Sequence, residues 1–193
     1  MSVLISAVTA VIASNMVFTR AFGVSVALTA ASNPKKLFGI CAAVTWFCVT
    51  SSAAVWALAH FEGIGINRSY VPMLYVTVIG AIYSLTLYLS AAFMKKHFRA
   101  VKKYIHIAAF NSLVMGTAYL SSSGRETLAE YIGFGFLSGL GFTFAAFLLA
   151  AVNTKLRSDD VPQVFRGYPA IMIFIGVISM AMLGILGYAP SYM

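Results

Sequence analysis

Apolar residues in this chain come in runs long enough to cross a lipid bilayer. A crossing helix needs about 17 to 25 apolar residues, because each residue adds only about 1.5 Å to its length. Six runs reach this length, with polar or charged residues between them: residues 3–19, 37–59, 71–94, 104–120, 131–152 and 170–189. The pattern predicts an all-α polytopic membrane protein with about six transmembrane helices.

No linker or low-complexity segment divides the chain, so residues 1–193 are interpreted as a single integral membrane domain. Three spans fall in residues 1–95 and three in residues 104–190. An odd number of spans per half puts the halves in opposite orientations, which is the inverted repeat of many transporters. The sequence therefore predicts two inverted three-helix repeats.

The first span of each half carries signs of a broken helix. These two spans are the short ones, and each has an asparagine, Asn15 or Asn111, with Gly23 or Gly116 downstream. After the first, the apolar piece 21–32 is too short to cross and is stopped by Asn33-Pro34. Interrupted segments at matching positions of two halves point to a binding site near the midplane. We expect half-helices near residues 15–25 and 111–116 to meet there.

Charge supports the membrane class and predicts the orientation. Only 9% of residues are charged, against about a quarter in soluble domains. Eleven of the 13 Lys and Arg residues follow spans one, three and five: Arg20, Lys35, Lys36, Lys95, Lys96, Arg99, Lys102, Lys103, Lys155, Arg157 and Arg166. The others, Arg68 and Arg125, follow spans two and four. The positive-inside rule then places the basic loops in the cytoplasm and both termini outside. The net charge of +8 comes from these loops, and it favours contact with anionic lipid headgroups over nucleic-acid binding.

The polar and small residues within the spans leave few catalytic options. Asn15 and Asn111 act either as hydrogen-bonding glue between helices or as part of a functional site, and Arg20 either reaches the headgroups or holds a cofactor or anion. Cys41 and Cys48 are seven residues apart on one helix, too far for a disulfide, and packing is the favoured interpretation. No nucleophilic triad or buried carboxylate relay is visible. Catalysis by this chain alone is not expected.

The loop before the last span resembles a known signature. Residues 160–167 read DVPQVFRG, similar to the D-V-P-x-x-F-R-G element of the Rnf and Nqr membrane subunit family; the matching positions are Asp160, Pro162, Phe165, Arg166 and Gly167. The stretch from Asn15 through Gly23, and Asn111-Ser112 with Gly116, resemble that family's first and second motifs. Outward termini select the RnfA/NqrE-like branch.

This resemblance implies a function and a set of partners. Such subunits belong to ion-translocating electron transport complexes that move Na⁺ or H⁺ across a bacterial or archaeal cell membrane, the inner membrane where there are two. An RnfA-like chain pairs with an inverted homologous membrane subunit, RnfE- or NqrD-like, and assembles with flavoprotein and iron–sulfur subunits. Flavins are implied only on those partners.

The resemblance also implies a [2Fe–2S] cluster shared with the inverted partner, and here the sequence departs from the family. The family's cysteines follow the first motif's Gly and the second motif's Asn, where this chain has Ser25 and Ser112. Clusters are held by thiolates, so ligation by Gly23, Ser25, Asn111 and Ser112 is not expected. The chain is then a cluster-free paralogue, a member of a related complex with another cargo, or a chain with engineered Cys→Ser changes. The alternative function is a small-solute transport or scaffold subunit.

Overall fold

The computed structural model describes residues 15–60, 70–93, 98–122, 126–159 and 161–185. Within these ranges the structure contains eight α-helices: α1 (Met16–Arg20), α2 (Val24–Ala31), α3 (Pro34–His60), α4 (Val71–Phe93), α5 (Phe98–Ala109), α6 (Ser112–Ser121), α7 (Leu128–Asn153) and α8 (Tyr168–Ile185). A short 3-10 helix, Lys155–Arg157, follows α7. The described part of the chain is therefore all-helical, as the apolar runs predict.

Helices α3 and α7 form the centre of the molecule and pack antiparallel. Glycines of α7 lie directly on the α3 backbone: a Cβ at Gly139 would be 2.7 Å from the Cα of Thr45, and one at Gly135 would be 2.6 Å from the carbonyl oxygen of Cys48. Small residues permit such close approach between helices in a membrane. Further along, the indole Nε1 of Trp56 donates to the carbonyl oxygen of Glu126 at 3.3 Å. Gly135 and Gly139 are therefore packing residues between the two central helices.

The remaining helices surround this pair. Helices α5 and α6 pack on α3, α2 packs on α7, and α1 lies between α7 and α8. Helix α4 is outermost, since among its residues only Tyr75 and Ile79 are buried. Helices α3, α4 and α7 are long and apolar enough to cross a membrane, while α8 contains a shorter apolar stretch.

The six predicted spans agree with the structure where it can be compared. The runs 37–59, 71–94 and 131–152 correspond to α3, α4 and α7. The run 104–120 is divided between α5 and α6, so it is an interrupted element. Residues 3–14 of the first run and 186–189 of the last lie outside the described residues. The internal two-fold repeat stays a prediction.

Both predicted interruptions are present. Helix α1 ends at Arg20, the chain turns through left-handed backbone at Ala21 (φ 56°) and Gly23 (φ 79°), and α2 follows for eight residues. The next helix, α3, begins at Pro34, where the missing N–H of proline costs no helical hydrogen bond. The short piece stopped by Asn33-Pro34 is therefore confirmed.

The second interruption lies at the start of the expected half-helix 111–116. Helix α5 ends at Ala109, and α6 begins at Ser112. Gly116 lies within α6. The ring of Phe22 occupies the space beside it, only 2.5 Å from where a Cβ would lie. This glycine therefore makes room for the first broken element and does not interrupt the second.

Candidate functional site

Asn15 begins the first broken element, and both the oxygen and the nitrogen of its side-chain amide form hydrogen bonds. Its side-chain oxygen accepts from the backbone N–H of Val17 at 2.9 Å, which caps α1. Its Nδ2 donates to the carbonyl oxygen of Gly141 at 2.6 Å. Asn15 is only 2% exposed, and a buried amide of this kind is costly unless it is bonded. The residue both starts a helix and ties it to α7.

Asn111 performs the same capping role in the second broken element. Its side-chain oxygen accepts from the N–H of Leu113 at 3.2 Å at the start of α6. Its Nδ2 is buried and has no hydrogen-bond partner among the residues that the structure describes. The two asparagines therefore share one local geometry, but only the first has a bonded amide nitrogen.

The two interruptions contact each other through Gly23, Asn111 and Ser112. We call these three residues, together with Asn15 and Ser25 of the first broken element, the junction. The backbone N–H of Gly23 donates to the hydroxyl oxygen of Ser112 at 2.8 Å. A Cβ at Gly23 would lie 3.1 Å from the side-chain oxygen of Asn111. Glycine at this position therefore provides both the left-handed turn and the space for the second element.

The junction lies level with the middle of the long helices. Gly141, which bonds Asn15, is near the centre of the 26-residue α7. On the other side, the hydroxyl of Thr117 in α6 contacts the Cys48 sulfur, near the middle of α3, at 3.7 Å. Non-helical backbone near the middle of a membrane must be buried in protein or line a cavity. Here the two interruptions bury each other, because Gly23 packs against Asn111.

Ser25 and Ser112 do not fit a thiolate-ligated cluster. Both side chains are exposed at the ends of short helices, but a hydroxyl is a poor ligand for iron compared with a cysteine thiolate. The oxygen of Ser112 also already accepts from Gly23. Among the described ranges, no three His, Cys, Asp or Glu residues gather in a way that could hold a metal ion.

The two cysteines are packing residues. Cys41 and Cys48 are 2% and 0% exposed and lie on the α3 face that meets its neighbours. Gly135 of α7 lies against the Cys48 backbone. Neither thiol reaches the surface on which Ser25 and Ser112 are exposed, so the packing interpretation agrees with the structure.

The signature loop forms a braced turn before α8. The guanidinium of Arg166 pairs with the Asp159 carboxylate at 2.8 Å and donates to the carbonyl oxygen of Val161. The Pro162 carbonyl oxygen accepts from the N–H groups of Phe165 and Arg166, and the N–H of Gly167 donates to the carbonyl oxygen of Leu156. Phe165 is half exposed, and Asp160 lies outside the described residues.

Several contacts escaped the sequence analysis because they join distant residues. The bond from Gly23 to Ser112 spans 89 positions. Ser179 of α8 donates to the carbonyl oxygen of Phe18 at 2.6 Å. Single residues such as Gly23, Ser112 and Ser179 gave no sign in the sequence of the partners that they bond. Arg20 is exposed at the end of α1, and no hydrogen bond joins it to the residues of the junction.

Comparison with known proteins gives the family. Residues 3–189 match the family described as Rnf-Nqr subunit, membrane protein. The chain is 26% identical over 181 residues to the A-type component of the ion-translocating oxidoreductase complex of Aeromonas salmonicida, and the match covers 93% of this chain and 94% of that one. It is 28% identical over 185 residues to the A-type component of the proton-translocating ferredoxin:NAD(+) oxidoreductase complex of Clostridium ljungdahlii, with the same coverage.

A further relative carries a different ion in its name. It is the A-type component of the Na(+)-translocating ferredoxin:NAD(+) oxidoreductase complex of Acetobacterium woodii, 23% identical over 188 residues, or 97% of this chain and 98% of that one. Matches of this length include both interruptions, the central helix pair and the signature loop. The chain belongs to the Rnf-Nqr family of membrane protein subunits.

Proposed function

We propose that this chain is the A-type membrane component of an ion-translocating electron transport complex. The observation that carries the proposal is the match over residues 3–189, together with A-type relatives that align over more than 90% of both chains. The chain contributes to electron transfer across the membrane coupled to movement of Na⁺ or H⁺. It works as one of several subunits.

The junction is the proposed contact with an inverted homologous membrane subunit. Ser25 and Ser112 are exposed although they lie level with the centre of the bundle, so in the complex lipid or a partner must cover them. Flavoprotein and iron–sulfur subunits complete the assembly and hold its redox groups. In the contact with the inverted subunit, this chain presents its two helix interruptions and the hydroxyl groups of Ser25 and Ser112.

This chain is proposed to provide no ligand to a [2Fe–2S] cluster. The resemblance implies such a cluster at the positions of Ser25 and Ser112, where the donor atoms present do not fit it. The donor chemistry supports this proposal, because a serine hydroxyl is a poor ligand for iron compared with a cysteine thiolate. Gly23 and Asn111 then shape the broken backbone, and Arg166 and Gly167 hold the signature loop.

Purification of the chain with its native neighbours tests the assignment. An affinity tag on this chain, extraction in mild detergent and mass spectrometry are expected to recover an inverted homologue together with flavin- and iron–sulfur-containing subunits. Recovery of the chain alone, with solute uptake by liposomes that contain it, would instead support the small-solute transport alternative.

The same preparation tests the ligand proposal. Electron paramagnetic resonance of the reduced complex is expected to show the same [2Fe–2S] signal per assembled complex in the wild type and in the Ser25→Ala and Ser112→Ala variants. A signal that disappears from an assembled variant complex would show that a serine is a ligand.

A further inference from the structure

His106 is an ionisable side chain for which the function proposed above has no use. It lies on the exposed face of α5, and its ring nitrogen Nδ1 is 2.6 Å from the hydroxyl oxygen of Tyr83 in α4. The centroids of the two rings are 5.5 Å apart. Phe110, which follows α5, contacts the same tyrosine at 5.1 Å between ring centroids. These contacts hold the imidazole against α4.

The pair lies within the hydrocarbon layer of the membrane. Tyr83 is near the middle of α4, which spans Val71–Phe93 and has 23 residues. At a rise of about 1.5 Å per residue, both ends of that helix are about 15 Å or more away from Tyr83. The hydrocarbon core of a bilayer is about 30 Å thick. The imidazole that Tyr83 bonds therefore lies below the headgroups.

An ionisable group at this depth is expensive and usually marks a functional site. In the described helices the one acidic residue is Glu130, in the first turn of α7 and thus near the membrane surface. His60, the other described histidine, is the last residue of α3. Imidazole is the side chain that changes charge near neutral pH. Among the described helices, His106 is therefore the group inside the membrane that is suited to proton exchange.

The tyrosine hydroxyl can bond the imidazole in both of its protonation states. It donates to Nδ1 when that nitrogen carries no proton, and its oxygen accepts from Nδ1 when the nitrogen is protonated. A carboxylate partner would instead favour the charged form alone. The bond between His106 and Tyr83 can therefore persist while a proton is gained and lost.

The charged groups near the imidazole lie toward the start of α5. Three cations share its exposed face one and two turns earlier: Arg99, Lys102 and Lys103. Side chains of this length extend to the headgroups and keep their charges in water. From α4, the titratable group that faces the imidazole is Tyr83, and α3 meets α5 at Tyr104. Water is therefore nearest on the side where α5 begins.

We propose that His106 and Tyr83 form a proton-exchange site within the membrane. The imidazole takes a proton from water at the start of α5, becomes imidazolium, and later releases a proton to water and returns to the neutral form. In the imidazolium, Nδ1 donates to the Tyr83 oxygen, and the nearby aromatic ring favours the positive charge. The proposal deepens the function proposed above and rests on it, because it gives this chain a part in the ion movement.

Nitrogen-15 NMR of the full-length chain in lipid nanodiscs tests the site without the rest of the complex. The His106 ring nitrogens, assigned by their loss in the His106→Asn variant, are expected to change from neutral to protonated shifts between about pH 5 and 8. A ring that stays in one form throughout this range overturns the proposal. This measurement does not depend on any partner subunit.

The pH profile of electron transfer by the assembled complex tests the use of the site. Asparagine places a hydrogen-bonding atom near the position of Nδ1 but takes up no proton, so His106→Asn keeps a partner for Tyr83 and removes the exchange. We expect the rate to fall about tenfold or more and to lose one protonation step from its pH profile. Loss of packing alone would not remove that step.

His60 provides the matched control. Its Nδ1 lies 3.4 Å from the carbonyl oxygen of Trp56, and its ring also contacts an aromatic neighbour, but it is exposed at the end of α3. His60→Asn is expected to keep the wild-type rate and pH profile. An unchanged pH profile in an assembled His106→Asn complex overturns the proposal. If no complex assembles around the wild-type chain, the function proposed above fails, and the NMR titration still decides whether His106 exchanges a proton.

Discussion

Two serines at matching motif positions have different roles at the scale of single residues. The hydroxyl oxygen of Ser112 accepts from the backbone N–H of Gly23, whereas at Ser25 it is the backbone carbonyl that accepts, from the Thr29 hydroxyl within α2. Although the family resemblance treats the positions alike, the structure distinguishes them. The hydroxyl of Ser112 joins the two broken elements, and that of Ser25 faces outward.

Substitution of each serine by alanine separates these roles. Ser112→Ala leaves the buried Gly23 N–H without an acceptor and is expected to reduce the free energy of unfolding by about 1–3 kcal/mol. Ser25→Ala is the matched control, with an expected change within about 0.5 kcal/mol, as for most surface substitutions. Unfolding by SDS in mixed micelles measures both. Equal losses in the two variants would contradict the role given to Ser112.

The sequence predicted part of the junction at this scale. The costly amides of Asn15 and Asn111 pointed to the right positions, because a polar group inside an apolar run must find a partner. The partners themselves lie far away in the chain: Gly141 for Asn15, and Gly23 for Ser112. Such pairings arise from tertiary packing, and the local pattern of a single sequence does not predict them.

At the scale of helices, two glycines set the distance between α3 and α7. Gly135 and Gly139 present bare backbone to Cys48 and Thr45 of α3. Gly133, on the same helix, has open space where a Cβ would be added. These three glycines of α7 are therefore not equivalent: Gly135 and Gly139 lie against α3, and Gly133 does not.

Alanine at these two kinds of glycine should have opposite effects. In Gly139→Ala the new Cβ would lie 2.7 Å from the Thr45 backbone, so the helices must separate, at a cost of about 1–3 kcal/mol in unfolding free energy. Gly133→Ala meets no atom and is expected to be neutral or to stabilise by about 0.5–1 kcal/mol, because alanine favours helix over glycine. Unfolding titrations on the two variants provide the comparison. Destabilisation by Gly133→Ala of the same size would contradict this packing.

The second broken element shows what the sequence predicted and what it did not. The position of the half-helix after Asn111 was predicted, but the role of Gly116 was not. The structure places the interruption at Phe110 and Asn111, where a capping side chain starts a new helix. Gly116 is required for another reason, the ring of Phe22, which only the folded structure brings to it.

At the scale of the whole molecule, the basic residues collect at one end. Because α3 and α7 are antiparallel, Lys35 and Lys36 at the start of α3 lie at the same end as Lys155 and Arg157 after α7. The opposite end of this pair carries Trp56 and Glu126. Membrane spans and charge asymmetry were readable from the sequence, because both follow from composition along the chain.

This asymmetry predicts the orientation in the cell. Under the positive-inside rule, we predict that the basic end faces the cytoplasm. In intact cells a membrane-impermeant maleimide is expected to label Glu126→Cys, whereas Arg157→Cys reacts only after permeabilisation. Both positions are exposed, and the native Cys41 and Cys48 are buried and give little background. The reverse labelling pattern would invert the topology and the proposed branch assignment.

The bond between Asn15 and Gly141 has a mechanical consequence. It ties the start of the first broken element to α7. The second element has no equivalent tether at its asparagine among the described residues, and a cavity lies next to it. The second element is held instead through Ser112, whose hydroxyl oxygen accepts from Gly23, so loss of the Asn15 bond would loosen both elements from α7 together.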